Sequence, residues 1–508
     1  MRKLTVVGVL LLALLLALGA CAPEPTPAKF EVTSLAVTPI VAEPGQAVTV
    51  EVEVANVGGT EGSHTLTLTV NGVEEETRDV TVAPGATETA AFTLVRDASG
   101  MYEIKVAGLT ETLRVKQPGA YPRLGNFYAA WPEKTNSAYF LWHPQPKPTP
   151  ELKSLAMYDI IAIPYAVGYY APESIRQLRK LNPRIKILAF FPFGDSDIED
   201  LKTVQSSNES WFLHYGNTPG SSMPPEQRRV SFMQDIVPFE LWLMNPASEW
   251  STYVPNYVHD NLMSTGLFDG VFYDCIWEWE NAAGVNIDFN NIDINNDGIA
   301  ESRDVVNREY KNGMTQLLQL TRELLGPEAI ILGNPGAEWS ANSPYFEYAN
   351  GQFQEAALST IPWSNHDFSK IWDIYLRNMQ QLAPPSRIHW INAGTNSVKY
   401  DPFNPDLPPA ELQKMRYGLA ITLLDDGYFS FDEPPPWHCQ LWWFPEYDTN
   451  LGFAMGDAQK RSDGSWMREF ENGVVIANPT SKDSTIEFQA IYKDVTTGIE
   501  GTSFVVPP

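Results

Sequence analysis

Between residues 120 and 440, short apolar runs alternate with stretches in which apolar residues recur at helical spacing. This alternation constrains the fold more than any other feature of the chain. Runs such as residues 185–191 are almost continuously hydrophobic, as a strand buried on both faces requires. Strands that alternate with amphipathic helices indicate a parallel α/β arrangement. The eight predicted strands span residues 123–131, 158–167, 185–195, 270–274, 329–334, 351–355, 387–393 and 427–432.

Eight strand–helix units in this region predict an α/β fold with a (β/α)₈ TIM barrel at residues 120–440. A doubly wound sheet is the alternative, but no Gly-x-Gly-x-x-Gly motif follows an early strand. One long helix is predicted over residues 306–325, where Gly326-Pro327 ends the apolar repeat. We expect this barrel to be the catalytic domain, because TIM barrels carry their sites at the carboxyl ends of the strands.

Two β-rich segments flank the predicted barrel. Residues 30–117 contain runs with a period of two, such as 49–54 and 65–70, separated by turn signals, which predicts an antiparallel β-sandwich of about seven strands. Residues 441–508 return to strand and turn patterns, which predicts a small β-sandwich whose final strand we expect to be missing. The first segment resembles the immunoglobulin-like cell-adhesion-related domain of bacteria through Leu35-x-Val37-x-Pro39, Pro44-Gly45 and Val54-x-Asn56-x-Gly58.

Composition restricts the kinds of partner that the chain can bind. With 35 Lys and Arg against 62 Asp and Glu, the net charge is −27, which excludes an extended nucleic-acid interface. The same charge disfavours anionic polymers. Aromatic residues make up 12% of the chain and include 15 Trp. Their flat apolar faces stack on the C–H faces of sugars, so a neutral carbohydrate is the expected partner.

The amino terminus carries an export signal. Residues 1–20 begin with two basic residues and continue as an apolar run too short for a good membrane span. The Leu-Gly-Ala-Cys segment ending at Cys21 resembles a bacterial lipobox, which implies cleavage before Cys21 and lipidation of its thiol. An ordinary secretion signal is the alternative. Residues 21–29 form a Pro-rich linker. We therefore expect a bacterial cell-envelope protein, anchored to the membrane by lipid and facing outside or the periplasm.

Two carboxylates end predicted strands at the barrel mouth. Asp274 closes the fourth run and Glu355 closes the sixth. A carboxylate after a buried strand is costly to desolvate unless chemistry or a partner uses it. Two such groups can split a glycosidic bond, one ionised to attack or activate water and the other donating a proton. Asp274 suits the ionised role if its surroundings are polar, and Glu355 the acid role if apolar walls raise its pKa. Retention and inversion stay open. The alternative for Asp274 is an acid satisfied by a neighbouring Arg or by backbone N–H groups, and the alternative for Glu355 is a salt-bridged helix-cap acid.

Other polar and aromatic residues near the ends of the strands are candidates for substrate binding. The two Trp residues after the fourth strand are the expected stacking partners, although a Trp more often packs in a core. The candidates are Tyr128, Trp131, Trp277, Trp279, Asn334 and Asp432.

A calcium-loop pattern lies between the fourth and fifth predicted strands. Oxygen ligands fall at loop positions 1, 3, 5, 7, 9 and 12, with Gly298 at position 6. The loop resembles the calcium loop of dockerin repeats, with Asp at the last position. A polar turn is the alternative. We expect a structural Ca²⁺ that stiffens one wall of the barrel mouth, and no organic cofactor. The predicted ligands are Asp293, Asn295, Asp297, Ile299 through its carbonyl, Glu301 and Asp304.

Three stretches carry a resemblance to a known family. Residues 158–165, residues 268–274 with Trp277, and residues 468–473 with Asn478-Pro479 resemble the hypothetical glycosyl hydrolase family 15. The resemblance covers residues 120–505 and implies a TIM barrel with glycosidase-like chemistry, without naming a substrate. The family motif matches this chain most directly at Asp274. Glu355 is instead assigned from its position at the end of a predicted strand.

These features together predict a glycoside hydrolase that cleaves a neutral extracellular poly- or oligosaccharide. The alternative is a non-catalytic surface glycan-binding or adhesion lipoprotein with the same barrel. A purely structural envelope protein is a third possibility, and it predicts no cleft with clustered aromatic residues. The expected partners are a carbohydrate and, through the lipid anchor, a membrane.

Overall fold

The computed structural model describes residues 26–129, 139–192, 199–217, 222–232, 241–279, 287–336, 338–359, 367–395, 401–433 and 438–508. Backbone contacts divide the chain into two compact units. The described part of the first unit comprises residues 26–38, 47–95 and 102–113, and that of the second comprises residues 39–46, 96–101 and those from 114 onward. The predicted signal segment, Cys21, residues 21–25 of the linker and Trp131 lie outside the described residues.

Antiparallel strands with alternating burial form the amino-terminal region. Its strands are β1 (Phe30–Thr38), β2 (Val41–Ala42), β3 (Ala47–Asn56), β4 (Gly62–Val70), β5 (Val73–Val82), β6 (Thr87–Val95), β7 (Gly100–Val106) and β8 (Leu109–Val115). Strand β3 lies between β1 and β6, and β4 pairs with β5 and β7 in a second sheet. In β3, Val48, Val50, Val52 and Val54 are buried, whereas the residues between them are more exposed. The predicted β-sheets of this region are confirmed, and their pairings are antiparallel except that β2 pairs in parallel with β8.

The second unit contains eight parallel strands in a nearly closed barrel. The strands of this part of the chain are β9 (Gly125–Phe127), β10 (Ile160–Pro164), β11 (Lys186–Phe191), β12 (His214–Tyr215), β13 (Ser231–Phe232), β14 (Leu241–Trp242), β15 (Gly270–Tyr273), β16 (Ile292–Asp293), β17 (Ile330–Gly333), β18 (Gly351–Ala357), β19 (Ile388–Gly394) and β20 (Tyr428–Asp432). The barrel order is β9-β10-β11-β15-β17-β18-β19-β20, and a parallel bridge between Leu124 and Phe429 joins its two ends. All eight predicted strands are present, which confirms the parallel barrel.

Aromatic side chains fill the barrel interior. Phe127 lies 4.8 Å from Phe190 and 5.0 Å from Phe272 between ring centroids, and Phe353 lies 5.3 Å from Trp390. Each of these side chains is at most 7% exposed. Removing one such ring typically costs about 3–5 kcal/mol of stability. Because the interior is packed rather than hollow, a binding site has to form at the mouth, from residues that follow the strands.

In the part of the chain that the structure describes, α-helices follow most of the barrel strands in sequence. They are α1 (Tyr139–Trp142), α2 (Pro150–Ala156), α3 (Val167–Tyr170), α4 (Pro172–Leu181), α5 (Glu199–Ser206), α6 (Trp250–Tyr257), α7 (Arg303–Leu325), α8 (Phe368–Gln381) and α9 (Pro409–Leu423). Within the described residues, β17 and β20 are followed by 3₁₀ turns at Pro344–Glu347 and Pro445–Asp448 rather than by α-helices. The strict alternation expected of a (β/α)₈ barrel is therefore met at six of the eight strands.

The long helix α7 agrees with its predicted bounds. Val306, Tyr310 and Met314 are buried on its inner face, as their spacing requires. The helix ends at Gly326, whose φ of +79° lies in the left-handed region that favours glycine.

The carboxyl-terminal region forms two small antiparallel sheets. Its strands are β21 (Gln459–Lys460), β22 (Trp466–Phe470), β23 (Gly473–Ala477), β24 (Ser484–Lys493) and β25 (Glu500–Val506). Strands β21 to β23 form one sheet, and β24 pairs with β25 in the other. Cys275 and Cys439 are buried, and no disulfide joins them. Across the described ranges, every helix falls short of the length and apolarity needed to cross a bilayer.

Candidate active site

Asp274 lies at the mouth because it directly follows the buried strand β15. Gly270 lets this strand approach its neighbour closely, since a Cβ there would lie 2.1 Å from the carbonyl oxygen of Ile330. The Oδ1 atom of Asp274 accepts two hydrogen bonds of 2.9 Å, from the backbone N–H of Cys275 and from Nδ2 of Asn334. These two donors fix the orientation of the carboxyl group.

Asn334 connects Asp274 with Glu355. Its Nδ2 donates to Asp274 Oδ1 and to Glu355 Oε2, and both distances are 2.9 Å. The orientation of the amide follows from its other atom, since Oδ1 accepts the backbone N–H of Gly336 at 3.0 Å. Each hydrogen of one NH₂ group therefore serves one carboxyl group. The two carboxyl oxygens are separated by at most twice 2.9 Å, so the structure brings the two predicted acids and Asn334 together.

His438 extends this cluster to Asp432. Its Nε2 lies 3.2 Å from Glu355 Oε1, and its Nδ1 lies 3.0 Å from Asp432 Oδ2. Asn392 donates to the other oxygen of Asp432 at 2.9 Å. Burial by itself lowers the pKa of His438, but the Asp432 and Glu355 carboxylates outweigh burial and raise the pKa to about 10. The imidazole is therefore a cation that donates a hydrogen bond to each acid.

The sequence reading missed His438. This residue follows β20 in a segment rich in Pro and Trp, without a spacing motif. The signal that could have found it is its position six residues after Asp432, which ends the eighth strand. Loops that follow barrel strands supply site residues as often as the strand ends themselves.

The pKa of Asp274 is raised to about 7. Burial is the main cause and the nearby charge of Glu355 is the second, while the N–H donors of Cys275 and Asn334 act in the opposite direction. Two acids this close cannot both ionise easily, so they hold one proton between them near neutral pH. Asp274 therefore keeps its proton up to a pH of about 7, whereas the sequence predicted Asp274 to be the ionised member.

Backbone conformations at the mouth are strained. Cys275, Ala356 and His438 have φ values of 53°, 50° and 30°, although none of them is glycine. Cys275 and Ala356 directly follow Asp274 and Glu355. Such conformations cost about 1–3 kcal/mol each and persist where the surroundings fix them, which is common at functional sites.

Of the predicted aromatic binding residues, the three that the structure describes are buried. Trp277 and Trp279 are 2% and 1% exposed, and the Trp279 ring packs on Tyr310 at 4.9 Å. Tyr128 is fully buried and packs on Phe140. A ring needs an open face to stack on a sugar, and none of these three has one. Because the residues around these rings are apolar, burial in the core is more favourable for them than exposure at the mouth.

The predicted calcium loop brings three of its six ligands together. Carboxylate oxygens of Asp293, Asp297 and Glu301 lie within 4.8 Å of one another. Asp293 also accepts a 2.9 Å bond from the Arg228 guanidinium, with both side chains buried. Asn295 Oδ1 instead accepts the backbone N–H of Asp297 at 2.9 Å. The other two predicted ligands lie on the exposed loop and in the first turn of α7, and they are Ile299 and Asp304.

Comparisons with known proteins add family information. The family model described as "Hypothetical glycosyl hydrolase family 15" matches residues 179–474, and the CARDB model matches residues 28–108. No curated protein sequence matches the chain.

The chain also matches solved structures at low sequence identity. A cycloisomaltooligosaccharide glucanotransferase from Paenibacillus sp., complexed with cycloisomaltoheptaose, is 15% identical with a TM-score of 0.36, over 72% of this chain and 53% of that one. The chain thus spans about half the length of the glucanotransferase. A β-glucosidase from Listeria innocua is 15% identical, over 17% and 16% of the two chains, with a TM-score of 0.16. A β-D-glucoside glucohydrolase from Trichoderma reesei is 20% identical, over 18% and 19%, with a TM-score of 0.16.

Proposed function

The chain belongs to the hypothetical glycosyl hydrolase family 15, and on this premise we propose that it hydrolyses a neutral extracellular poly- or oligosaccharide at the Asp274–Glu355 pair. The observation that carries the proposal is the single Asn334 amide that donates to both carboxyl groups. Glycosidases need one ionised and one protonated carboxyl group on either side of the bond. A pair that holds one proton near neutral pH supplies this combination.

The spacing of the pair favours a retaining mechanism. Retaining enzymes place their carboxyl groups about 5–5.5 Å apart and inverting enzymes about 6.5–9.5 Å. The bridge through Asn334 limits the distance between Asp274 Oδ1 and Glu355 Oε2 to at most twice 2.9 Å, which is shorter than the separation that inverting enzymes use. In the proposed first step, an oxygen of Asp274 forms a bond to the anomeric carbon while Glu355 gives its proton to the departing glycosidic oxygen. In the second step, Glu355 removes a proton from water, and the oxygen of that water displaces Asp274.

The roles of the two acids follow from their neighbours. Two fixed N–H donors orient Asp274, as an attacking group requires. Glu355 contacts His438, and this hydrogen bond is available to stabilise the carboxylate that forms when the proton leaves. The proposed first step requires an ionised Asp274 and a protonated Glu355 before the glycosidic bond breaks. Positive charge that develops at the anomeric carbon then stabilises the ionised form of Asp274 in the transition state.

A reducing-sugar assay of the full chain against a panel of neutral polysaccharides tests the proposal. Wild type should release reducing ends from at least one of them, and Asp274→Asn and Glu355→Gln should each abolish release without lowering the melting temperature. Asp457→Asn changes an exposed acid outside the site and serves as the control. Full activity of both site variants would overturn the assignment. Binding of a glycan without release by wild type would favour the alternative, a surface glycan-binding or adhesion protein.

We also propose a structural Ca²⁺ at the loop 293–304. Its support is the set of hard oxygen donors on Asp293, Asp297 and Glu301, which is the ligand type that calcium prefers. The Arg228 guanidinium already neutralises one oxygen of Asp293, so the proposed ion relies on the other carboxylate oxygens. The ion would hold one wall of the barrel mouth, and no step of the proposed reaction passes through it.

Export and lipid attachment at Cys21 are the proposed means by which the protein reaches its substrate. The support is the basic-then-apolar pattern of residues 1–20 and the small residues before the cysteine. Growth with radiolabelled palmitate tests the attachment: wild type should carry label and Cys21→Ser should not. Equal labelling of both forms would contradict it.

A further inference from the structure

A group of exposed aromatic side chains lies on two short helices of the barrel domain, α1 and α3. Tyr139, Tyr169 and Tyr170 are 58%, 60% and 53% exposed, whereas the fully buried large side chains of this chain are mostly Trp and Tyr. Tyr139 belongs to α1, in which the next two residues, Phe140 and Leu141, are buried. Phe140 and Leu141 thus anchor the short helix, and Tyr139 is left facing the solvent.

Topology places these aromatic residues at the same end of the barrel as the carboxyl pair. Helix α1 follows strand β9 and helix α3 follows strand β10, each after the carboxyl end of its strand. Parallel strands present all their carboxyl ends at one mouth. The end of β9 is also in direct contact with the site, because the backbone N–H of Ala129 donates to the carbonyl oxygen of His438 at 2.9 Å.

The rings form two contacting groups that adjoin along residues 139–143. We name them together the aromatic platform and define it as Tyr139, Trp142, His143, Tyr169 and Tyr170. Tyr139 stacks on His143 with centroids 3.9 Å apart and planes 11° apart. The ring centroids of Trp142 in α1 and Tyr170 in α3 lie 6.4 Å apart. The rings of Tyr169 and Tyr170 pack edge-on with centroids 4.9 Å apart. Contiguous exposed aromatic surface of this kind marks a binding site more often than chance exposure.

The platform carries no acidic side chain and no Lys or Arg. Residues 139–143 read Tyr-Phe-Leu-Trp-His and residues 167–171 read Val-Gly-Tyr-Tyr-Ala, in a chain of which 19% is charged. An uncharged surface with flat apolar faces and hydroxyl groups at their edges matches a pyranose ring, whose C–H face is apolar and whose rim is polar.

We propose that the aromatic platform is a sugar-binding subsite at the rim of the mouth, and that it holds a ring of the substrate distant from the cleaved bond. The substrate class is then a neutral polysaccharide or long oligosaccharide rather than a disaccharide. This inference rests on the proposed function, which sets the site toward which the bound saccharide extends. It adds that the saccharide has to be long enough to reach the platform. Trp277 and Trp279, which the sequence favoured for stacking, are in the core, and the platform takes their place.

Affinity gel electrophoresis tests binding separately from catalysis. The full chain with Glu355→Gln, which does not consume its ligand, is run in native gels that contain dextran, laminarin or hydroxyethylcellulose. At least one of these neutral polymers should retard it, and polygalacturonate should not. Adding Tyr169→Ala and Tyr170→Ala should weaken retardation about tenfold, as expected for loss of two stacking rings. Phe453→Ala removes a ring that is 40% exposed in the carboxyl-terminal region and should leave retardation unchanged.

Turnover supplies the second readout. In the otherwise wild-type chain, the two Tyr substitutions should lower kcat/KM about tenfold on the polymer and leave kcat/KM on an aryl monoglycoside unchanged. Retardation and turnover equal to those of the parent protein would overturn the platform, as would the absence of retardation by all three neutral polymers. If the wild type binds a polymer through the platform but releases no sugar, the platform stands and the hydrolytic proposal fails.

Discussion

His438 Nε2 lies 3.2 Å from Glu355 Oε1, although 83 residues separate the two in sequence. The contact joins the loop after the eighth barrel strand to the end of the sixth. Because Asp432 holds the other ring nitrogen, the imidazole has one fixed orientation, with an N–H directed at Glu355. His438 is thus a positioning residue for the acid that we propose to exchange protons with the substrate.

Replacing His438 by Ala should lower kcat about 100-fold and change KM little, because the variant removes the donor to Glu355 Oε1 and leaves only that from Asn334 to Oε2. The His438 charge also lowers the pKa of Asp274, so its loss should raise that pKa and move the alkaline fall of kcat/KM to higher pH. Steady-state kinetics across pH on the substrate found by the glycan screen measures both effects. His259→Ala removes an exposed imidazole and is the matched control. A variant at His438 with wild-type kcat and pH profile would remove it from the mechanism.

The pH profile of the free enzyme should follow the single proton of the carboxyl pair. The pKa of Asp274 is raised to about 7, so the pair keeps its proton below this pH and loses it above. Since the mechanism needs one protonated carboxyl, kcat/KM should fall as pH rises through about 7, irrespective of which acid holds the proton. A profile that stays flat from pH 6 to 9 would contradict this prediction.

Asn334→Ala tests the origin of that pH dependence. The amide donates to Asp274 and so lowers its pKa, and the variant should therefore fall in activity at a higher pH than wild type. Asn256→Ala changes an exposed helical residue and should leave the profile unmoved. An unchanged midpoint in the Asn334 variant would show that the bridge does not set the proton affinity of the pair.

Calcium should stabilise the fold if it binds at the loop 293–304. At a free concentration 100 times Kd, a ligand bound only by the native state contributes about 2.7 kcal/mol. Chelation should therefore lower the melting temperature measured by calorimetry, and added Ca²⁺ should restore it. Asp297→Ala removes an exposed candidate ligand and should abolish the calcium dependence. Equal melting temperatures with chelator and with calcium would contradict the proposed Ca²⁺ site at the loop 293–304.

The barrel could be predicted because its strands are buried on both faces. A continuous apolar run such as β11 is typical of a buried strand in an α/β chain. The apolar residues of α7 recur at helical spacing and lie on one face, which predicts a helix packed on the barrel. The positions of Asp274 and Glu355 could be predicted for the same reason, since each lies at the end of a predicted apolar run. Strand position thus identified the two acids before any contact was known.

Other parts of the site depend on tertiary contacts that no local pattern encodes. His438 acquires its role from two acids that lie far from it or on a preceding strand, and its own segment has no period. The burial of Trp277 and the exposure of Tyr169 differ although both follow barrel strands. Aromatic abundance predicted that a sugar surface exists, but not which rings the packing leaves uncovered.

The central claim is that Asp274 and Glu355 cleave a glycosidic bond by double displacement, and azide rescue of their glycine variants tests it most directly. The substrate is an aryl glycoside that the wild type hydrolyses, and proton NMR gives the anomeric configuration of each product. With Asp274→Gly, azide should replace the attacking carboxylate and give a glycosyl azide of inverted configuration. With Glu355→Gly, azide should attack the covalent intermediate and give the retained configuration.

Wild type should release its sugar with retained configuration. A product of inverted configuration from wild type, or an inverted azide from the Glu355 variant in place of the Asp274 variant, would contradict the account.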